Sequence, residues 1–357
     1  MIKVLELFAG IGACSKALQN LEIEHKIVDA VEIDKFAIAG FNAIHGTNFE
    51  PQDITKWGKD VDCDLIMHGS PCQDFSIAGK QAGGDEGSGT RSSLMYETLR
   101  IVEKLKPKYV IWENVKNLLS KKHRHNFDAY LEAMERLGYK NYYQVLNAKN
   151  YGIPQNRERV FTISIRTDLN KNFVFPEPIP LERKLKDMLE ENVDEKYYLT
   201  DKAIAGYKSH AERHKERGNG FKFEPTDGNV VAHTVSTRAG GRPTDNYVAI
   251  RTANKTGYDL ATNGDGIDLA YPDSTTRRGR VGHGVAKTLP TSDSQGVLDG
   301  FSIRKLTPKE CYRLMGFDDA SFDRASEVLS NTQLYKTAGN SIVVNVLEVI
   351  LKELLCY

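Results

Sequence analysis

The first 165 residues alternate short apolar runs with amphipathic stretches, which argues for a parallel sheet flanked by helices. Strand patterns fall near residues 4–7, 27–33, 65–68, 109–113 and 160–165. Helix patterns fall near 14–20, 35–44, 92–105 and 127–137, the third stopped by Pro107 and the fourth by Gly138. The pattern breaks after Arg166. Residues 167–300 are rich in Gly, Thr, Asp and Asn, with few long apolar periods, and read as short strands and loops. Within them VAHTVST at 231–237 echoes VAKTLPT at 285–291, either a repeated strand-plus-loop element or a chance likeness of Thr-rich strands. Regular patterning then returns. Thr307-Pro308-Lys309-Glu310 is a helix start, with Thr as N-cap, Pro in the first turn and Glu at N3. A strongly apolar helix from near Ser341 must be buried against the first domain. The expected organisation is one domain of residues 1–166 plus 303–357 and a second of 167–302.

A length of 357 residues suits two such domains. The five cysteines are an odd number and form no CxxC pair, which argues against a disulfide framework or a zinc site. No metal is expected, and a reducing cytoplasm is the expected compartment. No apolar run is long enough to span a bilayer, and the first residues lack a signal-peptide layout. Formal net charge is zero, so binding to a polyanion requires basic residues concentrated locally.

Three clusters sit where strands run out. Phe8-Ala9-Gly10-Ile11-Gly12 lies between a strand and a helix, and Glu32 ends the next strand, 20 residues after Gly12. Glycines there admit a ligand close to the backbone, and a strand-end carboxylate can accept bonds from a ribose. The pair suits a nicotinamide dinucleotide or S-adenosylmethionine. The third glycine of the dinucleotide fingerprint is absent, because position 15 is Ser15. Gly69-Ser70-Pro71-Cys72-Gln73-Asp74-Phe75-Ser76 follows an apolar strand, which makes Cys72 a candidate nucleophile. Glu113 and Asn114 end another strand and should face the same sheet edge. Arg157 and Arg159, in QNRER, could hold a phosphate or a base carbonyl, or simply line a solvated edge.

Together these motifs resemble the cytosine-5 DNA methyltransferase family. FAGIG, Glu32, Asp53-Ile54, GSPCQDFS, Glu113-Asn114-Val115, QNRER, RKLTPKECYRLMGF at 304–317 and Gly339-Asn340-Ser341-Ile342-Val343-Val344-Asn345 occur in the family's order. The resemblance covers about residues 3–165 and 303–350. It implies an α/β, Rossmann-like S-adenosylmethionine-dependent methyltransferase sheet domain with a smaller, mostly irregular or β target-recognition domain. Cys72 would add to C6 of cytosine. Glu113 would contact N3 and the exocyclic amine, and Arg157 would hold the O2 side with Arg159 in support. Phe8, Ala9, Gly10, Ile11, Gly12, Glu32, Ile33, Asp53, Ile54, Pro71, Asn340 and Ser341 would line the pocket for S-adenosyl-L-methionine, which leaves as S-adenosyl-L-homocysteine.

Cytosine C5 is buried in stacked duplex DNA, so the base must be flipped out, at roughly a few kcal/mol. The Gly-rich stretch at 79–90 resembles the family's mobile catalytic loop. Ser76, Lys80, Gln81 and Arg91 are candidate DNA contacts beside the site. Arg238, Arg242, Arg278, Thr288 and Leu289 are candidates in the second domain, although arginine binds phosphate as well as guanine. The expected partner is double-stranded DNA, with a monomer acting in the cytoplasm of a bacterium, bacterial or phage-encoded, alongside a separate restriction endonuclease if one exists. A tRNA-methylating relative, a catalytically idle DNA-binding protein and a dinucleotide oxidoreductase are the rivals. The insert of about 130 residues, the intact Cys72, Glu113 and Arg157, and the Pro71-Cys72 and QNRER motifs argue against them in turn.

Overall fold

The computed structural model describes residues 1–71, 75, 83–84, 87–191, 193–197, 199, 201–216, 230–235, 247–248, 266–268, 281–282, 295–297 and 304–356. The chain divides into two compact units, Met1–Glu182 with Tyr312–Tyr357, and Arg183–Cys311.

The first unit is built on β1 (Ile2–Leu7), β2 (His25–Val31), β3 (Leu65–His68), β4 (Tyr109–Val115), β5 (Tyr139–Asn147), the two-residue β6 (Gln155–Asn156) and β7 (Glu158–Arg166). Six of these form one sheet in the order β2-β1-β3-β4-β7-β5. β2, β1, β3 and β4 pair in parallel, whereas β7 runs antiparallel to both β4 and β5. The reversal of β7 departs from a purely parallel sheet. β5 lies where no strand pattern was expected, and it is the sheet's edge. Its sequence YKNYYQVLN buries only Tyr139 and Leu146 fully, so it has no apolar run to mark it.

Helices α1 (Ala13–Asn20), α2 (Lys35–His45), α3 (Met95–Leu105) and α4 (Arg124–Arg136) connect the strands. Their ends follow local chemistry. Asp34 caps α2, its side chain accepting from the Phe36 N–H at 3.0 Å, and Gly46 at φ 65° ends it. The indole of Trp112 on β4 packs among Phe127, Tyr130 and His68, so one face of the sheet is closed by α3 and α4.

In the second unit α5 (Asp201–Glu216) is a helix inside the stretch expected to hold only strands and loops. Gly266–Asp268 pairs antiparallel with Val281–Gly282 and Gln295–Val297, and Tyr247–Val248 pairs with Arg304–Lys305. Of the sequence echo, Ala232–His233 is a short strand, and residues 285–291 lie outside the described residues.

Four further helices follow: α6 (Pro308–Leu314), α7 (Asp319–Ser326), α8 (Asn331–Asn340) and α9 (Val344–Leu355). The cap of α6 forms as its sequence requires. Thr307 Oγ1 accepts from the Glu310 N–H at 3.2 Å, and Glu310 Oε2 accepts from the Thr307 N–H at 2.8 Å. α9 buries Val344, Val346, Leu347, Ile350, Leu351 and Leu354 and packs on α1 of the first unit.

Glu310 is fully buried and holds more than its cap. Its carboxylate accepts two bonds from Arg304, at 2.9 and 2.8 Å, and one from the Glu190 N–H at 2.8 Å. Removing one partner of such a pair strands the other charge in the interior. Glu310→Ala is therefore expected to lower unfolding free energy by about 3–5 kcal/mol, read from urea denaturation. A loss of less than about 1 kcal/mol, the scale of one ordinary hydrogen bond, would show that the cluster does not hold this region together.

Candidate active site

In an open α/β sheet, ligands gather outside the carboxyl ends of the strands, where the strand order reverses. Here β1 has β2 on one side and β3 on the other, so the crevice lies after Leu7 and His68. The chain leaves β1 through a strained turn. Phe8, Gly10 and Gly12 all have left-handed backbone, at φ 53°, 56° and 78°. A Cβ on Gly12 would lie 2.2 Å from His45 Nε2 and 2.7 Å from the Phe41 ring, so this glycine allows α1 to meet α2. It performs the close packing that the missing third glycine left unassigned. A Cβ on Gly10 would meet no protein atom within 4 Å, so its glycine leaves room on the cleft side.

His45 and Glu32 fix this turn. Burial lowers the His45 pKa to about 4, so the ring is neutral at physiological pH. Its Nε2 lies 3.1 Å from the Ile11 carbonyl, which the Nε2–H tautomer can donate to. Glu32 Oε2 accepts from the Gly10 N–H at 3.0 Å, and Oε1 from the Asp34 N–H at 2.9 Å. The Ile33 N–H bonds the carboxylate as well. Burial raises the Glu32 pKa, against the opposing bonds from Asp34 and Gly10.

The other expected cofactor residues occupy different settings. Ile33 is 70% exposed, directly after Glu32. Asp53 caps a short turn, accepting from Thr55 N–H at 3.0 Å and Thr55 Oγ1 at 2.8 Å. Ile54 and Ile11 are buried, and Pro71 is half-buried. An open cleft with about 400 Å³ of empty space is lined by Leu7, Phe8, Ala9, Gly10, Met67, Gly69, Glu113, Asn340, Ser341 and Ile342. Five of the expected cofactor residues line it; Ile11, Gly12, Glu32, Ile33, Asp53, Ile54 and Pro71 do not. A turn that leaves space at Gly10, a carboxylate bonded to that turn and a cleft ending at Glu113 together fit S-adenosylmethionine.

Two further cleft residues were not singled out by sequence. Cys14 is buried, and burial pushes its thiol well up. Glu6 is 3% exposed and accepts from the Ser15 N–H at 3.0 Å and from the Ser15 hydroxyl. Burial raises the Glu6 pKa to about 7, although these bonds oppose it. The only hint in the sequence was an acidic residue inside an apolar strand.

The end of β4 organises the catalytic edge. Trp112 Nε1 donates to Ser70 Oγ at 2.9 Å, and Asn114 Nδ2 lies 3.2 Å from the Ser70 carbonyl and 3.3 Å from its hydroxyl. Ser70 is thus held two residues before Cys72. Glu113, between Trp112 and Asn114, points to the opposite face, as strand alternation requires. Its Oε1 lies 3.0 Å from Arg159 Nε. The register pairs Val115 with Arg159 and Glu113 with Phe161, which makes Glu113 and Arg159 diagonal neighbours on one face. They share a smaller cavity of about 200 Å³ with Arg157, Phe161, Ile342 and Val343.

Arg157 is differently engaged. It is 5% exposed, and its NH2 donates to the carbonyls of Gly339 and Ser341 at 3.2 and 2.8 Å. Gln155, fully buried, donates from Nε2 to the Leu314 carbonyl at 2.7 Å. The QNRER motif therefore ties the sheet to the segment that carries Asn340 and Ser341.

Cys72, Ser76, Lys80 and Gln81 lie outside the described residues, as do Arg238, Arg242, Arg278, Thr288 and Leu289. Two anchors flank the Cys72 segment. Phe75 is fully buried with its carbonyl accepting from Asn117 Nδ2 at 2.6 Å, and a Cβ on Gly84 would lie 2.4 Å from the Phe75 ring. Arg91 is exposed at the start of the turn leading into α3.

Glu6 gives a pH prediction. Its folded pKa, about 7, lies above the ordinary 4.5, so the folded state binds a proton that the unfolded state has released. Glu6 therefore lowers stability progressively as pH rises from about 4.5 to 7, by on the order of 3 kcal/mol in total. Relative to wild type, Glu6→Gln is expected to become steadily more stable across that window, measured by denaturation at pH 5, 6, 7 and 8. A pH-independent difference between the two proteins would refute it.

Comparison with known proteins fits this geometry. The profile of the C-5 cytosine-specific DNA methylase family matches residues 2–356. The chain is 35% identical to the type II methyltransferase M2.ScrFI of Lactococcus lactis subsp. cremoris, over 99% of each. It is 31% identical to the orphan methyltransferase M.SPRI of Bacillus phage SPR, over 99% of this chain and 97% of that one. The fold is similar to the crystal structure of the S. pombe Dnmt2 methyltransferase, with a TM-score of 0.65 at 17% identity, covering 99% and 98% of the two chains. With the glycine turn, the carboxylate at Glu32 and the Glu113–Arg159 edge all on one sheet, the chain belongs to the C-5 cytosine-specific DNA methylase family.

Proposed function

We propose that this protein methylates C5 of a cytosine flipped out of a specific short sequence in double-stranded DNA, through a covalent bond between Cys72 and C6. The observation that carries this reading is the convergence of Glu113 and Arg159, 3.0 Å apart, beside a cleft lined by Phe8, Gly10, Asn340 and Ser341. Bound S-adenosylmethionine supplies an electrophilic methyl group. Phe8, Gly10, Glu32, Asn340 and Ser341 would hold it.

An aromatic cytosine is a poor carbon nucleophile. Attack of the Cys72 thiolate on C6 makes C5 enamine-like, while Glu113 donates to N3 and holds the exocyclic amine. After C5 takes the methyl group and S-adenosylhomocysteine is left, water takes the C5 proton, Cys72 departs as a thiolate and N3 returns its proton to Glu113, which restores the ring. Ser70 serves this step by fixing the backbone entering Pro71 and Cys72. Of the two arginines, Arg159 is the better partner for the base. Its side chain is 19% exposed beside Glu113, whereas Arg157 is buried and bonded to backbone carbonyls.

Residues 167–302, most of which fall in the unit Arg183–Cys311, are the proposed reader of the target sequence, on a protein acting as a cytoplasmic monomer. A separate endonuclease belongs to the proposal only as a partner. Among the described residues no helix is long and apolar enough to cross a membrane.

Tritiated S-adenosylmethionine, offered with mixed-sequence DNA or tRNA, tests the reaction. Label should enter DNA, and Cys72→Ala should abolish it. Label in tRNA alone would overturn the substrate, and undiminished transfer by Cys72→Ala would overturn the mechanism. Conversion-based sequencing of DNA from an expressing host would identify the methylated site. The arginine assignment makes a separate prediction. Arg159→Ala should reduce kcat about 10²-fold, the cost of removing one well-placed charge-stabilising donor, with cofactor affinity little changed. Arg157→Ala should instead weaken cofactor binding and stability. The opposite pattern would return the base-facing role to Arg157.

A further inference from the structure

Asp29 lies within β2, is 1% exposed and takes no part in the chemistry above. Its carboxylate is fully surrounded by donors. Oδ1 accepts from Gln52 Nε2 at 2.9 Å and from the Ala30 N–H at 3.0 Å. Oδ2 accepts from Trp57 Nε1 and from Lys59 Nζ, each at 2.8 Å. Burial alone would raise its pKa, but the bonds from Lys59, Trp57 and Gln52 outweigh burial and hold it below the ordinary value. The group is therefore an ionised carboxylate within the fold.

Packing a loop on a strand does not call for such a group, since an apolar side chain does the same without the desolvation cost. Directional bonds to an ionised acceptor add something else, a fixed register. Three of the four donors come from residues 52–59, the segment that contains Asp53 and Ile54. The same segment is bonded to the backbone of the strand that leads to Glu32. The Gln52 N–H donates to the Glu32 carbonyl at 2.7 Å, and Gln52 Nε2 also donates to the Ala30 carbonyl at 3.0 Å. On its other side, Arg100 NH2 donates to the Ile54 carbonyl at 2.9 Å. The buried charge therefore acts together with these backbone bonds on the segment that carries the Asp53 turn.

We propose that Asp29 is a positioning residue for the cofactor, its buried carboxylate fixing residues 52–59 against β2 so that Asp53 and Ile54 stay in register with Glu32. This rests on the reading of Glu32 as the ribose anchor for S-adenosylmethionine. Asp29 touches neither the cofactor nor the base. It acts through Gln52 and Trp57.

The test compares wild type, Asp29→Asn, Gln52→Ala and the double variant. S-adenosylhomocysteine affinity is measured by calorimetry, and KM and kcat with tritiated S-adenosylmethionine on mixed-sequence DNA. Asparagine keeps the shape but turns an NH2 toward groups that are themselves donors. Each single variant should raise the S-adenosylhomocysteine Kd and the KM for S-adenosylmethionine about tenfold, the scale of one lost charge-assisted bond. kcat at saturating cofactor should change less than about twofold, because such a defect is in binding alone. The double variant should bind about as weakly as the weaker single one, because both changes release one strap. Wild-type affinity in folded Asp29→Asn, or losses that multiply in the double variant, would overturn the proposal. If Asp29→Asn does not fold, Gln52→Ala decides alone, and an unchanged Kd there overturns it. A wild-type protein that binds no S-adenosylhomocysteine would instead overturn the cofactor reading itself.

Discussion

The catalytic edge depends on the hold that β4 takes on Ser70. A parallel strand ends in a loop, and a loop left to itself offers no fixed position for a nucleophile. Trp112 and Asn114 fix the approach to Cys72, the proposed nucleophile, by bonding the hydroxyl and carbonyl of Ser70 from one face of β4. Strand alternation then leaves Glu113 on the other face, beside the cleft. Three successive residues thus both secure the approach to Cys72 and present the carboxyl group. The aromatic packing of Trp112 against His68 and Tyr130 anchors that arrangement in the core. Burial lowers the His68 pKa to about 3, so the ring packs as a neutral group.

The reversed strand β7 solves a second placement problem. Had β7 run parallel to β4, its start would lie at the opposite edge of the sheet. Running antiparallel, it begins at the catalytic edge, and the two arginines just before and inside it arrive beside Glu113. One faces the open pocket and the other clasps the segment bearing Asn340 and Ser341. Spacing at i and i+2 put both on one side of the chain, but only the tertiary partners separate their duties.

Much of this was legible in the sequence where local chemistry decides the outcome. The apolar runs of β1, β3 and β4, the cap at Thr307-Pro308-Lys309-Glu310 and the glycine turn after Leu7 each follow from neighbours within a few residues. The strand β5 was not legible, because an edge strand with a half-exposed polar sequence shows no apolar signal. Neither was α5, whose sequence DKAIAGYKSHAERHKE is largely charged and polar. Within the site, Glu32 and Glu113 were visible as strand-end acids. The roles of Glu6, Ser70, Gly12 and Asp29 were not, because each depends on a partner distant in the chain, such as Ser15, Trp112, His45 or Trp57.

The clasp of Arg157 on Ser341 also bears on how the chain is born. The two residues are 184 positions apart, with the whole of residues 183–311 between them. At roughly 5–20 residues per second the ribosome needs roughly 10–40 s to cover that distance. During that interval the sheet has emerged while a guanidinium destined for its interior still lacks its carbonyl partners. The Gly339 and Ser341 carbonyls reach Arg157 only when the returning segment docks. Completion of the cleft is thus a late event in folding, set by the order in which the chain is made.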